Sequence, residues 1–522
     1  MSVLRRLPRR PNESILDVIQ RNLDPRQRLG SDSVDLPDEE SHELRPGIRF
    51  AAGAQEGILG FHHSESGAVQ GVERLHRALV EVATRPSRGS SRELRRRMRE
   101  FPREGDALDA LVSRVATDAV MRHARVTDEL RTVLRTSARR EEVKLAIVLI
   151  GALGDESDVP ALRVLARHEE FTSYAAVALG NLVDDPTHEW LVLAEAVDGW
   201  GKIELVHRLL EDPTPEVRAY CLRRGCENRI LYSYLALPIA LKCDLAGALA
   251  EGDLDEGLVE GATDIFLGLI GGTDGEPGGS IYDLPRVGHC LQLYVTALER
   301  SPKTLRHART VADMRRILVD ANVDRLIENG STAEELADAV RACDGVLSDP
   351  SWPQLIRDQL EQGEVSWEAL DLARSLDVNV RELVEERLTW FPEDSSCWHA
   401  FITVCVEDGR LAYAIERAEA LLDLDRVATG ATLRLVVPGV EHSVVDRLAT
   451  ELQKHPGEGW PILRRALQSP AIRERGLALR ALSQWSELPP DSRAAIEVMT
   501  HDPDEGLRAD SAKVLRGEQL EG

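Results

Sequence analysis

Between Glu142 and Gly225 the apolar positions fall at helical spacing, and the pattern copies itself. Ile150, Gly151, Leu153 and Asp155 recur as Leu179, Gly180, Leu182 and Asp184, and Leu162 recurs as Leu191, all at an offset of 29 residues. Both helices of a two-helix unit are therefore repeated. A single pair cannot bury such an apolar stripe, whereas a neighbouring pair laid on it can. The pattern predicts an all-α chain, an α-solenoid of stacked antiparallel helical pairs, with Leu153 and Leu182 as equivalent buried positions.

Elsewhere the periodicity divides the chain into five stretches. Residues 1–105 read as an irregular, Arg-rich region with short helices, at 15–23, 48–63 and 72–83. Its last helix runs from Ser90 to Phe101. Ser90 with Glu93 three residues on is a capping-box pattern, and Pro102 is a stop signal. At about 100° per residue this helix places Arg92, Arg96 and Arg99 on one side and Leu94, Met98 and Phe101 on the other. Residues 106–240 hold helical repeats, beginning with helices at 107–121 and 126–136. Residues 241–285 are acidic and Gly-rich, with six glycines from Gly268 to Gly279, and read as a loop or an insertion. Divergent helical pairs are expected over 286–456, at 287–298, 312–327, 333–347, 366–376, 380–388, 398–406 and 410–422. Residues 457–522 close the chain with further repeats.

A second signature links the two ends of this array. In Leu-Leu-Glu-Asp-Pro, Asp212 and Pro213 end one helix, and Pro215 suits the first turn of the next. Arg218 lies five residues after Pro213. The same spacing joins Pro470 to Arg475 and Pro503 to Arg508, two sites 33 residues apart. Leu463, Ala478 and Leu482 match Ile496, Ser511 and Leu515 at that offset. With Asp212-Pro213-x4-Arg218-Ala219, Asp502-Pro503-x4-Arg508-Ala509 and the Leu-Gly-x-Leu-x-Asp run at 179–184, the chain resembles the HEAT-repeat family, in particular the short bacterial repeats also found in phycobilin lyases. The resemblance covers about 142–225 and 459–516. It implies a HEAT/ARM-like superhelix in which the repeat Arg ties to the Asp of a neighbouring turn. The first repeat departs from the pattern, with Lys144 where Arg is expected and no preceding Asp-Pro.

Composition agrees with helices. Aromatics are 4% of the 522 residues, while Leu, Ala and Val dominate the apolar fraction. The length exceeds the roughly 250–300 residues at which single cores stop growing, so several domains or an extended array are expected. The formal charge is −25, unevenly spread. Residues 1–105 carry a net +3 with 19 Arg and no Lys, and the remainder a net −28. So acidic a body disfavours nucleic acid and favours basic partners. Seven scattered Cys suit a reducing compartment. No apolar segment follows the paired arginines at 5–6 and 9–10, and no run is long enough to span a bilayer. A cytoplasmic protein without membrane contact is the expectation.

No enzyme motif is intact. Gly201-Lys202 lacks both the upstream Gly and the following Ser/Thr of a P-loop. Asp253-x-Asp255 opens like a calcium loop, but Leu258 stands at the glycine position. His62-His63-x-Glu65 reads as a solvated helix end rather than a metal site, and Cys221-x4-Cys226 as packing rather than a ligand pair. No catalytic residue, cofactor or metal is assigned. The structural positions are Gly151, Leu153, Asp155, Gly180, Leu182, Asp184, Asp212, Arg218, Arg475, Asp502 and Arg508, with Arg92, Arg96 and Arg99 as candidate partner-binding residues. The expected role is a non-catalytic scaffold or adaptor that holds a protein partner on the curved face of the array. A lyase-like enzyme or cofactor-handling protein is the first alternative, and a helical-repeat nucleic-acid binder the second.

Overall fold

The computed structural model describes residues 13–30, 34–39, 43–45, 48–49, 51–54, 69–101, 105–251, 254–273, 278–319, 323–362 and 366–520. The chain forms two compact units. One takes in the described parts of Met1–Glu43, Arg49–Ser301 and Ile317–Ala339; the other those of Leu44–Ile48, Pro302–Arg316 and Val340–Gly522. Helices dominate both. The strands among the described residues are the short Glu43–Arg45 and Ile48–Arg49.

In the N-terminal unit, α1 (Ile15–Asn22), α2 (Val69–Thr84), α3 (Arg88–Arg99), α4 (Gly105–Thr117) and α5 (Ala124–Thr136) precede the repeats. The repeats begin with α6 (Arg140–Leu153), α7 (Val159–Leu165), α8 (Glu169–Leu182), α9 (Pro186–Ala194) and α10 (Gly199–Leu209). They continue as α11 (Pro215–Tyr220), α12 (Ser233–Lys242), α13 (Leu245–Ala250), α14 (Glu256–Gly271) and α15 (Val287–Leu298). The copies α6 and α8 are each 14 residues long and start 29 residues apart. Helices then pack on their next-but-one neighbours: α6 on α8, α8 on α10, α10 on α12 and α12 on α14. The reason lies in the apolar stripe. Ile147 and Ile150 of α6 and Ala176 and Leu179 of α8 are fully buried, as is Leu162 of α7. Each of the Leu and Ile side chains contributes about 1.5–3 kcal/mol on burial. Gly151 lets the two backbones close, since a Cβ there would lie 2.8 Å from the Ala178 Cα.

Next come α16 (Leu305–Val319), α17 (Val323–Glu328) and α18 (Ala333–Leu347). The C-terminal unit continues with α19 (Trp352–Gln362), α20 (Trp367–Ser375), α21 (Arg381–Trp390), α22 (Ser395–Glu407) and α23 (Leu411–Leu421). It closes with α24 (Val440–Glu451), α25 (Trp460–Leu467), α26 (Ile472–Gln484), α27 (Ser492–Met499) and α28 (Glu505–Leu515). The same rule recurs: α22 packs on α24, α24 on α26 and α26 on α28. One core runs through these helices, with Trp398, Phe401, Val444, Leu448, Leu463, Leu479 and Ile496 inside it.

Several expectations need correction. Leu153 and Leu182 are equivalent, each the last residue of its helix, but both are only half-buried. The apolar stripe reaches the core about one turn earlier, at Ile150 and Leu179. The α3 helix is capped by Ser87, not Ser90; the Ser90 hydroxyl partners the Ser87 backbone, completing a box in which Ser90 takes the Glu93 place. The Gly-rich stretch of 241–285 is largely helical, holding α13 and the 16-residue α14. Two glycines of α14 are close-packing positions: a Cβ on Gly268 would lie 2.7 Å from the Ala236 Cβ, and one on Gly261 would strike the Leu222 carbonyl. The helix expected over 312–327 is two, α16 and α17, and α19 and α24 were not foreseen. Over 48–63 the described Ile48–Arg49 pair is strand, and residues 55–63 lie outside the described set.

Candidate functional site

Both repeat arginines of the C-terminal unit occur near helix starts, and only one is buried. Arg475, in the first turn of α26, donates from Nε and Nη2 to Asp502 Oδ2 and Oδ1 at 2.7 and 3.0 Å. Both side chains are fully buried. Two charges removed from water persist only when their remaining donors and lone pairs are filled. Here they are filled. Arg475 Nη1 donates to the Ser469 carbonyl at 2.8 Å and Nη2 to the Thr432 carbonyl at 2.9 Å, while Asp502 Oδ1 accepts from the Asp504 N–H at 2.8 Å.

The Thr432 contact fixes a segment that no helix contains. Between 430 and 435 the chain lies along the start of α26. Gly430 N–H donates to the Gln468 carbonyl at 2.9 Å, and the Thr432 hydroxyl to the Pro470 carbonyl at 2.8 Å. In return, the amides of Ile472 and Arg473 donate to the carbonyls of Arg434 and Leu435 at 2.8 and 3.1 Å. Arg434 and Ala471 form a parallel bridge. Backbone groups are thus used inward, and the side chains are left outside: Leu433, Leu435 and Val436 are 44%, 45% and 61% exposed. Three apolar side chains are thus held in solvent on an anchored backbone.

The other repeat positions fall into place around the same rule. Arg508 Nη1 donates to the Asp502 and Pro503 carbonyls, and Arg218 Nε to the Pro213 carbonyl at 3.2 Å. Pro-x4-Arg therefore closes a loop onto its own helix start, and Asp212 stays exposed rather than pairing with Arg218. Lys144, the departure from the pattern, makes a buried pair with Glu170 at 2.6 Å. Arg140 joins them from one turn before, and these cations hold the Glu170 carboxyl down at about 2 although burial opposes it. Asp155 accepts from the Ser157 N–H and pairs with Arg131 at 2.9 Å. At the equivalent turn the capping passes from Asp184, which is exposed, to Asp185, which accepts from the His188 N–H. Gly180 makes room for the Trp190 ring.

The three α3 arginines are all exposed. Arg96 is occupied within its own helix by Glu93 and Glu100, and Arg99 pairs with Glu142 of α6, leaving Arg92 as the outward cation. Leu94 and Met98 bury against α2 and α6 rather than against the helices directly following. All seven cysteines are free, buried thiols, and burial pushes those of Cys343 and Cys397 up to about 12. Among the described residues no group of three or more His, Cys, Asp or Glu is placed to hold a metal ion; His62, His63 and Glu65 lie outside them. No described helix is long and apolar enough to cross a membrane.

Fold and site together define an all-helical protein whose neighbouring helices pack on one another throughout both units. No family model matches the chain, and no curated protein matches it.

Proposed function

We propose that the chain is a non-catalytic scaffold or adaptor, an α-solenoid of HEAT-like helical pairs that holds a protein partner. The observation carrying this reading is the anchored apolar segment at Leu433, Leu435 and Val436. Its outward side chains and the single charge of Arg434 suit a partner surface with an apolar groove and an acidic rim. Serial packing of helical pairs supports the same reading, because such arrays offer long surfaces at little cost in core size. A buried Arg475–Asp502 pair fits too, since rigidity at the docking segment lowers the ordering entropy lost on binding.

The test compares the full chain with its Leu433→Ser, Leu435→Ser, Val436→Ser variant as bait in native lysate. A stoichiometric protein partner that falls at least tenfold in the variant, with circular dichroism unchanged, is the expected outcome. Equal recovery of the same proteins on both baits refutes the docking segment.

A further inference from the structure

The N-terminal unit contains a cavity of about 290 Å³ bordered by the ends of α7 and α9, the start of α8, α10, and the chain at 28–30 and 34. Its volume is near the lower end of the range for small-ligand sites, about 300–1,000 Å³. The charges in its wall do not balance by pairing. Arg229 takes two carboxylates, with Nη2 2.8 Å from Glu169 Oε1 and Nε 2.7 Å from Asp198 Oδ2. Arg224 lies between two more, 3.9 Å from Glu195 and 3.7 Å from Glu227. Every acidic group of the wall therefore already faces an arginine.

The five cations of the wall exceed its four carboxylates by one, and three of those cations lie outside the arginine–carboxylate pairs. Lys202, on the first turns of α10, is 5% exposed, and its ammonium makes no hydrogen bond or ion pair with a described residue. Arg167 donates to the Val192 carbonyl at 3.4 Å and is attracted by Glu189, and Arg28 makes no ion pair with a described residue. Burial lowers the basicity of both Lys202 and Arg167, against the attraction of Glu227 and Asp198 on the first and of Glu189 on the second, and Arg163 and Arg28 add like-charge repulsion on Arg167. An ammonium that opens onto a cavity without a direct partner, with Glu227 and Asp198 attracting it only from beyond ion-pair distance, is a pointer to a ligand there. The start of α10 offers nothing further. Asp198 Oδ1 accepts from the Gly199 N–H at 2.7 Å, and Glu169 from the Trp200 N–H. His168 is likewise occupied, by the Val34 carbonyl through Nε2 and the Glu170 N–H through Nδ1.

We propose that this cavity is a binding site for a small organic oxyanion, a molecule whose phosphate or carboxylate group is received by Lys202, Arg167 and Arg28. The paired acids around it limit the ligand to one or two negative charges and supply acceptors for its hydroxyl or amino groups. In a chain of net charge −25 such a place has to be built locally, because the long-range field repels anions. The site is in the N-terminal unit and does not depend on the docking segment of the C-terminal one.

Titration calorimetry and thermal shift on the full chain test it, with inorganic phosphate, glycerol 3-phosphate and succinate as separate probes. At least one probe should bind saturably, with Lys202→Met and Arg28→Gln each weakening it tenfold or more. Saturation by the two phosphates alone identifies a phosphate ligand; saturation by succinate identifies a carboxylate. Arg28 is only half-buried, so Arg28→Gln serves if Lys202→Met does not fold. No saturable binding of any probe, or binding unchanged in the variants that fold, overturns the proposal.

Discussion

Replacing Arg475 by Met keeps the bulk of the side chain and removes every polar contact it makes. Asp502 is then a fully buried carboxylate retaining the Asp504 N–H, and the carbonyls of Ser469 and Thr432 lose their donor. Breaking one side of a buried ion pair costs about 3–5 kcal/mol, and each orphaned carbonyl that water cannot reach adds about 1–3 kcal/mol. Local opening of the α26 start should therefore become easier by at least about 3 kcal/mol, roughly a hundredfold or more in the opening constant. Two units make a single global transition an unsafe measure, so the assay is hydrogen exchange resolved by mass spectrometry. The reporting amides are those of Gly430, Ile472 and Arg473, because their acceptors or their own placement depend on the anchored segment. Asp502→Asn in the same background neutralises the stranded acid. The double variant should then exchange more slowly than the sum of the two single effects requires, by a coupling of about 2 kcal/mol. Single variants that change exchange less than fivefold, with an additive double, would show that the pair does not hold this segment.

Burial raises the Glu169 carboxyl to about 7, with Arg229 opposing. The folded chain therefore binds this proton more tightly than the unfolded chain between about pH 4.5 and 7, and stability falls as pH rises through that window, by at most about 3 kcal/mol. Glu169→Gln should remove that slope, so its melting temperature relative to the parent should be higher at pH 8 than at pH 5; a difference independent of pH contradicts it. Leu→Ala at Ile150's counterpart Leu179 should cost about 2–5 kcal/mol, and the same change at half-buried Leu153 or Leu182 distinctly less, as read by denaturant unfolding; equal costs would misplace the apolar stripe. Truncation before Gly457 uncovers Val444, Val445 and Leu448 of α24, on which α26 packs, and should aggregate on size exclusion; a monomeric truncation would show that α24 needs no cover.

Much of the helical content was legible in periodicity. Helices at 287–298 and 333–347 match α15 and α18 residue for residue, because long apolar stripes with polar faces leave no other period. Glycine misled at 256–271, where it permits close packing inside a helix instead of ending one, a distinction that depends on the neighbour and not on the local sequence. The Pro-x4-Arg spacing found Arg475 but did not reveal that its guanidinium reaches back to Thr432, 43 residues earlier. No periodicity or motif marks Leu433, Leu435 and Val436; only the bonds to α26 show them turned outward. Lys202 stood in the sequence as a failed phosphate loop. Its isolation in the cavity wall is a property of what surrounds it in space, which no spacing encodes.

The buried thiols give this molecule a set of internal clocks. Cys221, Cys226, Cys243 and Cys290 belong to the N-terminal unit, and Cys343, Cys397 and Cys405 to the C-terminal one. A thiol shut away from solvent reacts with an alkylating reagent only while its surroundings are open, so each rate of labelling counts the openings of one neighbourhood. Seven such sites, separable by mass, would time the loosening of each unit independently in a single unmodified chain, and would show which half gives way first when the protein is warmed.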